Sequence, residues 1–323
     1  MTGTGPSGDP AHAARTVFIG SGGFGVPALR ALAIDPSIVV VGVVTAPARP
    51  AGRRLSLVGT PIADVAAELG LGPILTPSTL RDPASIAGVL ALDPALIVLA
   101  DYGQIVPAAL LGLPHGALNL HPSLLPRHRG ATPVPAAILT GDTTTGVTLM
   151  RMDAGLDTGP IVAQAEAPVG LDETAPALEA RLAAIAAELL AASLSPWLAG
   201  TLAERPQTAA EATLTTPLHR ADGRLDPARP AIELERQVRA YQPWPGSFVD
   251  TVGGRLTIWR AEAGRIADGR AGEFGARGLS TVDGTLVFHD VQPAGGRRMP
   301  WVEYLRGRPG ITGSAALASD RDA

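Results

Sequence analysis

Asn119 and His121 stand two apart at the end of the run Ala117-Leu118-Asn119-Leu120-His121, whose apolar character predicts a strand. Side chains two apart in a strand face the same side, so an amide and an imidazole share one pocket. Further on, Met152-Asp153-Ala154-Gly155-Leu156-Asp157-Thr158-Gly159 is a turn-rich loop with two carboxylates. Amide, imidazole and carboxylate together suit acyl transfer to an amine: the amide stabilises an oxyanion, the imidazole handles a proton, and the carboxylate orients the imidazole. No Ser or Cys lies in a GxSxG-like setting, so direct transfer fits better than a covalent intermediate. Against this stand plainer roles, since a lone His at a strand end is more often structural and Asp-Ala-Gly is ordinary turn chemistry. His115, His121 and His128 match no metal-ligand spacing.

A second motif precedes these. Gly20-Ser21-Gly22-Gly23-Phe24-Gly25 fits GxGxxG between a strand and a helix, a pattern that can hold a pyrophosphate. The acid expected at the end of the next strand is missing, because the chain there reads Val43-Val44-Thr45-Ala46-Pro47. Arg49, Arg53 and Arg54 follow and would suit a 2′-phosphate, which leaves an NADP-dependent oxidoreductase as an alternative from another class. The loop reads more readily as a structural turn.

The elements that must position these groups alternate as in a parallel α/β sheet. Strands are predicted at Thr16 to Ile19, Ile38 to Thr45, Ala95 to Ala100 and Ala117 to His121, with helices over Val26 to Ala33 and Val134 to Leu139. Val147 to Met150 and Ile161 to Ala165 read as an antiparallel pair, and Thr174 to Leu198 as a long closing helix. The expected organisation is a loose tail over 1–14, a catalytic domain over 15–200, a linker over 201–217, a small β-barrel domain over 218–310 and a second loose tail over 311–323. The fold class is a Rossmann-like doubly wound sheet followed by an OB-like barrel.

Composition narrows the chemistry. All 26 basic residues are Arg and there is no Cys, which excludes Schiff-base and Walker-type lysines, thiolate catalysis and Cys-ligated zinc. The start has no apolar run and nothing resembles a membrane span, so the cytosol is the default location. A net charge of -4 gives no global signal for nucleic acid, so a polyanion would need a local patch.

Asn119-Leu120-His121-Pro122-Ser123-Leu124-Leu125-Pro126 and the Met152 to Gly159 loop resemble the two active-site signatures of the folate-dependent formyltransferases. The resemblance implies Asn119, His121 and Asp157 as the catalytic trio and a 10-formyltetrahydrofolate donor without a metal. It further implies a folate site lined by Tyr102, Gly103, Ser123, Leu124, Leu125, Pro126, Asp153 and Gly155, and a glycine turn that binds no dinucleotide. Arg49-Pro50-Ala51-Gly52-Arg53, the Tyr241-Gln242-Pro243-Trp244-Pro245-Gly246 segment and Val291 to Met299 are similar to segments of the branch that formylates initiator methionyl-tRNA. That branch implies Arg49, Arg53, Arg54, Arg297 and Arg298 as tRNA contacts, a structural Trp244 and a monomer. Relatives that formylate amino sugar nucleotides are the nearest alternative.

Three departures stand out. The Arg53 loop continues Arg54-Leu55-Ser56-Leu57, less basic than the family pattern. Ala100-Asp101-Tyr102-Gly103 stands where the family has Ala-Tyr-Gly, so either Asp101 replaces an alanine in register or the preceding strand differs in length by one residue. From Pro206 to Ala323 there are 15 Arg against 14 acids, a balance of only +1.

Overall fold

A computed structural model describes residues 13–51 and 56–317 and divides into two compact units. The first holds residues 13–51 and 56–133, Thr144–Pro168 and Glu179–Thr215; the second holds Val134–Thr143, Val169–Leu178 and residues 216–317.

In chain order the first half forms β1 (Ala14–Gly20), α1 (Val26–Ile34), β2 (Ile38–Val44), β3 (Arg49–Ala51), β4 (Ser56–Val58), α2 (Pro61–Glu68), β5 (Ile74–Leu75), α3 (Pro83–Leu90), β6 (Leu96–Ala100) and β7 (Ala117–His121). Then come β8 (Arg129–Gly130), α4 (Pro133–Thr140), β9 (Thr144–Arg151), β10 (Ile161–Pro168) and α5 (Ala175–Leu198). The main sheet has the order β10-β9-β7-β6-β1-β2-β5. Strands β5, β2, β1, β6 and β7 are parallel, while β9 and β10 run antiparallel on the far side of β7.

The β-branched runs explain this arrangement. Val17 and Ile19 of β1, Val44 of β2, and Ile97 and Leu99 of β6 form one side of the core with Leu80, Val89, Val106 and Leu110. A fully buried aliphatic side chain contributes about 1.5–3 kcal/mol. Helix α2, which the sequence pattern did not mark, starts where Thr60 caps it by accepting from the Ala63 amide at 3.1 Å, with Pro61 at the first helical position.

The stretch expected as a linker is structured as far as Thr215. It contains β11 (Leu214–Thr215), which pairs in parallel with β8. An isolated bridge also joins Arg205 to Ile161.

The second unit contributes α6 (Ala231–Ala240), β12 (Ser247–Thr251), β13 (Gly254–Gly264), β14 (Gly278–Ser280), β15 (Thr285–Pro293), β16 (Met299–Pro300) and α7 (Trp301–Arg306). In the region expected as a small β-barrel, the described residues form a five-stranded antiparallel sheet, order β12-β13-β15-β14 with β16 beside β15. Its core is mainly aliphatic, with an aromatic cluster around Trp301. The Trp301 ring stacks on Tyr304 at 5.5 Å and meets Phe288 edge-on at 5.2 Å, and its N–H donates to the Ala276 carbonyl at 2.9 Å. The expected C-terminal tail is part of this unit up to residue 317: Ile311 is buried, and the Ala316 amide donates to the Gly272 carbonyl.

Candidate active site

Strand β7 delivers Asn119 and His121 to the carboxyl edge of the sheet, both about one-twentieth exposed. The β9–β10 connection delivers Asp157, whose Oδ2 lies 3.6 Å from His121 Nδ1. The three residues are therefore brought together. The other ring nitrogen, Nε2, lies 2.9 Å from the His128 carbonyl. A carbonyl can only accept, so Nε2 carries the proton and, in the neutral ring, Nδ1 offers its lone pair on the Asp157 side. Burial pushes the His121 pKa below its ordinary value, and the Asp157 charge opposes that shift. The Asn119 amide has no hydrogen-bond partner among the described residues, which marks it as a group available to a ligand.

Two non-glycine residues here adopt left-handed backbone, Asp157 at φ 51° and His128 at φ 57°. Such strain persists only where surroundings enforce it, and it gathers at functional sites. Asp157 Oδ2 accepts the Gly130 amide at 2.8 Å. Gly130 is itself required, since a Cβ there would stand 2.4 Å from the Thr215 carbonyl at φ 109°.

The residues expected to line a folate divide into two groups. Ser123 is buried and donates to the Arg127 carbonyl at 2.6 Å, and the amide of the buried Leu125 donates to the Thr148 hydroxyl at 3.0 Å before a cis peptide to Pro126. Leu124, half-buried, lies against Gly146. The Tyr102 ring packs on the sheet core, and its hydroxyl is buried without a partner among the described residues, with its pKa raised by that burial. Gly103, Asp153 and Gly155 are exposed, and Asp153 closes its own turn by accepting from the Gly155 amide and the Thr158 hydroxyl.

The residues expected to touch tRNA are less gathered. Arg49 is exposed on β3, which pairs with β4, while Arg53 and Arg54 lie outside the described residues. Arg297 is paired with Glu303 at 2.9 Å, and Arg298 with Asp290 at 3.0 Å while its guanidinium sits 5.7 Å from the Trp259 ring centre. Trp244, expected to be structural, is 54% exposed.

The glycine turn is explained by Asp101. That residue follows β6 at φ 54°, its carbonyl accepts from the Ser21 amide, and its carboxylate occupies the space over Gly22. A Cβ on Gly22 would come 1.5 Å from the Asp101 carboxylate oxygen. A carboxylate, its pKa raised by burial, thus stands where a dinucleotide site would need room for a pyrophosphate.

Sequence reasoning missed Thr148, Gln164, Gln207, Thr213 and Thr215. The fully buried Thr148 hydroxyl donates to the Ser123 carbonyl at 2.6 Å and receives from Leu125 and Gln164. Thr213 and Thr215 hydrogen-bond the backbone of His128 to Thr132. No spacing could have revealed them, because their partners lie 16 to 86 residues away along the chain.

The open sheet carries these three residues at its edge, and comparison with known proteins specifies the class of enzyme. Residues 14–194 match the family model described as formyl transferase, and residues 217–309 its C-terminal domain. Methionyl-tRNA formyltransferase of Roseiflexus castenholzii is 45% identical over 300 residues, covering 91% of this chain and 96% of that protein. Among solved structures, HypX from Aquifex aeolicus in complex with tetrahydrofolic acid superposes with a TM-score of 0.62 at 16% identity, over 95% of this chain; the chain spans 51% of HypX. An N-formyltransferase from Helicobacter canadensis, in complex with folinic acid and dTDP-3-aminofucose, gives a TM-score of 0.62 at 15% identity, over 88% of this chain and all of that one. The chain belongs to the formyl transferase family, and within it to the methionyl-tRNA formyltransferases.

Proposed function

We propose that this enzyme moves the formyl group of 10-formyltetrahydrofolate to the α-amine of initiator methionyl-tRNA by direct attack, with Asn119, His121 and Asp157 as the catalytic residues. The observation that carries this reading is the unpartnered Asn119 amide beside a buried His121–Asp157 pair. The Tyr102 hydroxyl and the Ser123 to Pro126 loop border the place for the folate. Arg49, Arg53, Arg54, Arg297 and Arg298 are the proposed tRNA contacts, and no step needs a metal.

The amine nitrogen attacks the formyl carbon, a C–N bond forms and the carbonyl becomes an oxyanion. Asn119 donates to that oxygen. His121, with Nε2 held by the His128 carbonyl, presents Nδ1 next to Asp157. This pair takes one proton from the attacking nitrogen and returns it to N10 as the C–N10 bond breaks. The formamide and tetrahydrofolate then leave. Loss of an oxyanion donor typically lowers turnover about 10²–10³-fold, and Asn119→Ala is expected to do so.

The test is incubation with 10-formyltetrahydrofolate and charged initiator methionyl-tRNA, followed by ester hydrolysis and measurement of N-formylmethionine. Product that requires the tRNA and disappears in His121→Ala supports the assignment. Folate binding without tRNA formylation would overturn the substrate and turn attention to amino sugar nucleotides.

A further inference from the structure

Between Gly200 and Thr215 the chain has little regular structure, and its residue types suggest only a connector. Yet one side chain from it reaches the catalytic loop. Gln207 Nε2 donates to the Asp157 carbonyl at 2.8 Å and to the Gly159 carbonyl at 2.7 Å. Its Oε1 accepts from Arg129 Nε at 3.0 Å and Nη2 at 2.7 Å. Arg129 is 8% exposed and follows His128, the residue whose carbonyl holds the His121 ring.

We propose that Gln207, fixed by Arg129, is a positioning residue for the formyl transfer, setting Asp157 against His121. The proposal rests on the catalytic reading of Asp157 given above. Four hydrogen bonds use the Gln207 amide fully, two through its N–H groups and two through its oxygen. The two carbonyls it grips are those of the left-handed Asp157 itself and of Gly159 two residues on, so the clamp fixes the backbone that leaves Asp157 and with it the aim of this carboxylate. On its other side the clamp grips the guanidinium of the segment that binds both the His121 ring and, through Gly130, the Asp157 carboxylate. One amide therefore ties together the two loops whose separation sets the distance from Nδ1 to Oδ2. The neighbouring Thr213 and Thr215 act on the same segment through backbone contacts, and so belong to the frame around the clamp.

Two substitutions separate positioning from mere support. Gln207→Met removes every bond of the clamp. Gln207→Glu keeps an acceptor for Arg129 but has no N–H for the carbonyls of Asp157 and Gly159. Small misplacements of a catalytic group cost up to about 100-fold in rate, so kcat should fall about 10–100-fold in both variants, with KM for folate and tRNA within about twofold of wild type. The Glu variant keeps its pair with Arg129 and should lose less melting temperature than the Met variant. The His121 ring, followed by NMR in the folded protein, should titrate at lower pH in Gln207→Met, because the nearby carboxylate that raises its pKa has moved away. An unchanged kcat in Gln207→Glu, or an unchanged kcat and His121 midpoint in Gln207→Met, would overturn the proposal. So would a loss of kcat and melting temperature with an unmoved midpoint, the signature of a structural role only. Wild-type formylation of methionyl-tRNA reads the functional assignment separately, and the His121 titration reads the clamp whatever the substrate.

Discussion

His121 is subject to two opposed influences, and their balance sets which proton it holds. Burial removes the water that would stabilise an imidazolium, while the Asp157 carboxylate favours it, and burial is the larger effect. The ring is therefore neutral at a pH where an exposed histidine is partly charged, as a proton acceptor must be. NMR titration of the ring in the free enzyme should give a midpoint below the ordinary value of about 6.5. In Asp157→Asn the opposing charge is gone, so the midpoint should fall further while turnover drops. A wild-type midpoint at or above 6.5 would contradict the assignment of His121 as the acceptor. The sign carries over to stability. The unfolded chain binds this proton more readily than the folded one, so acidification from about pH 6.5 towards the depressed value draws on folding stability.

Strand β9 acts on the site without touching the chemistry, through Thr148. Its hydroxyl sits under the Ser123 to Pro126 loop and connects a carbonyl, an amide and the Gln164 side chain. Thr148→Val keeps the shape but strands these buried groups, each worth about 1–3 kcal/mol when left unsatisfied. Thermal unfolding should show a melting temperature several degrees lower, and folate KM should rise as the loop loosens; unchanged values for both would sink this role. The apolar runs of β1, β2, β6 and β7 were legible in the sequence because burial of a parallel strand demands continuous apolar residues. Asn119 and His121 were legible for the same reason, two polar residues at the end of such a run. By contrast β8 and β11 are two-residue strands with no pattern. Gln207 was invisible since a long-range side-chain clamp leaves no period. Asp101 was noticed as a departure, but its reason, the space above Gly22, exists only in three dimensions.

At the scale of the whole molecule, a chain with a net charge of -4 must meet a polyanion through local clusters. The second unit holds two arginine clusters that suit such a contact. Asp290 is shared by Arg260 and Arg298, and Asp250 by Arg224 and Arg255, so each cluster keeps an excess of one positive charge. Both carboxylates are held below the usual range by their guanidinium partners, so this balance persists through the physiological pH range. Pairing also orders the guanidiniums, with Arg255 lying 3.7 Å from the Phe248 ring centre and Arg298 beside Trp259. Each neutralised phosphate contributes slightly less than one unit to the salt dependence of binding. Two such clusters and a few exposed arginines should give a log–log slope of tRNA KM against salt of about 2 to 4. Asp290→Asn leaves Arg260 and Arg298 without their counter-charge, and should lower KM for tRNA and steepen that slope by about one. A slope that stays the same in Asp290→Asn would show that this cluster makes no contact with the RNA, and would place the phosphate contacts on other arginines of the chain.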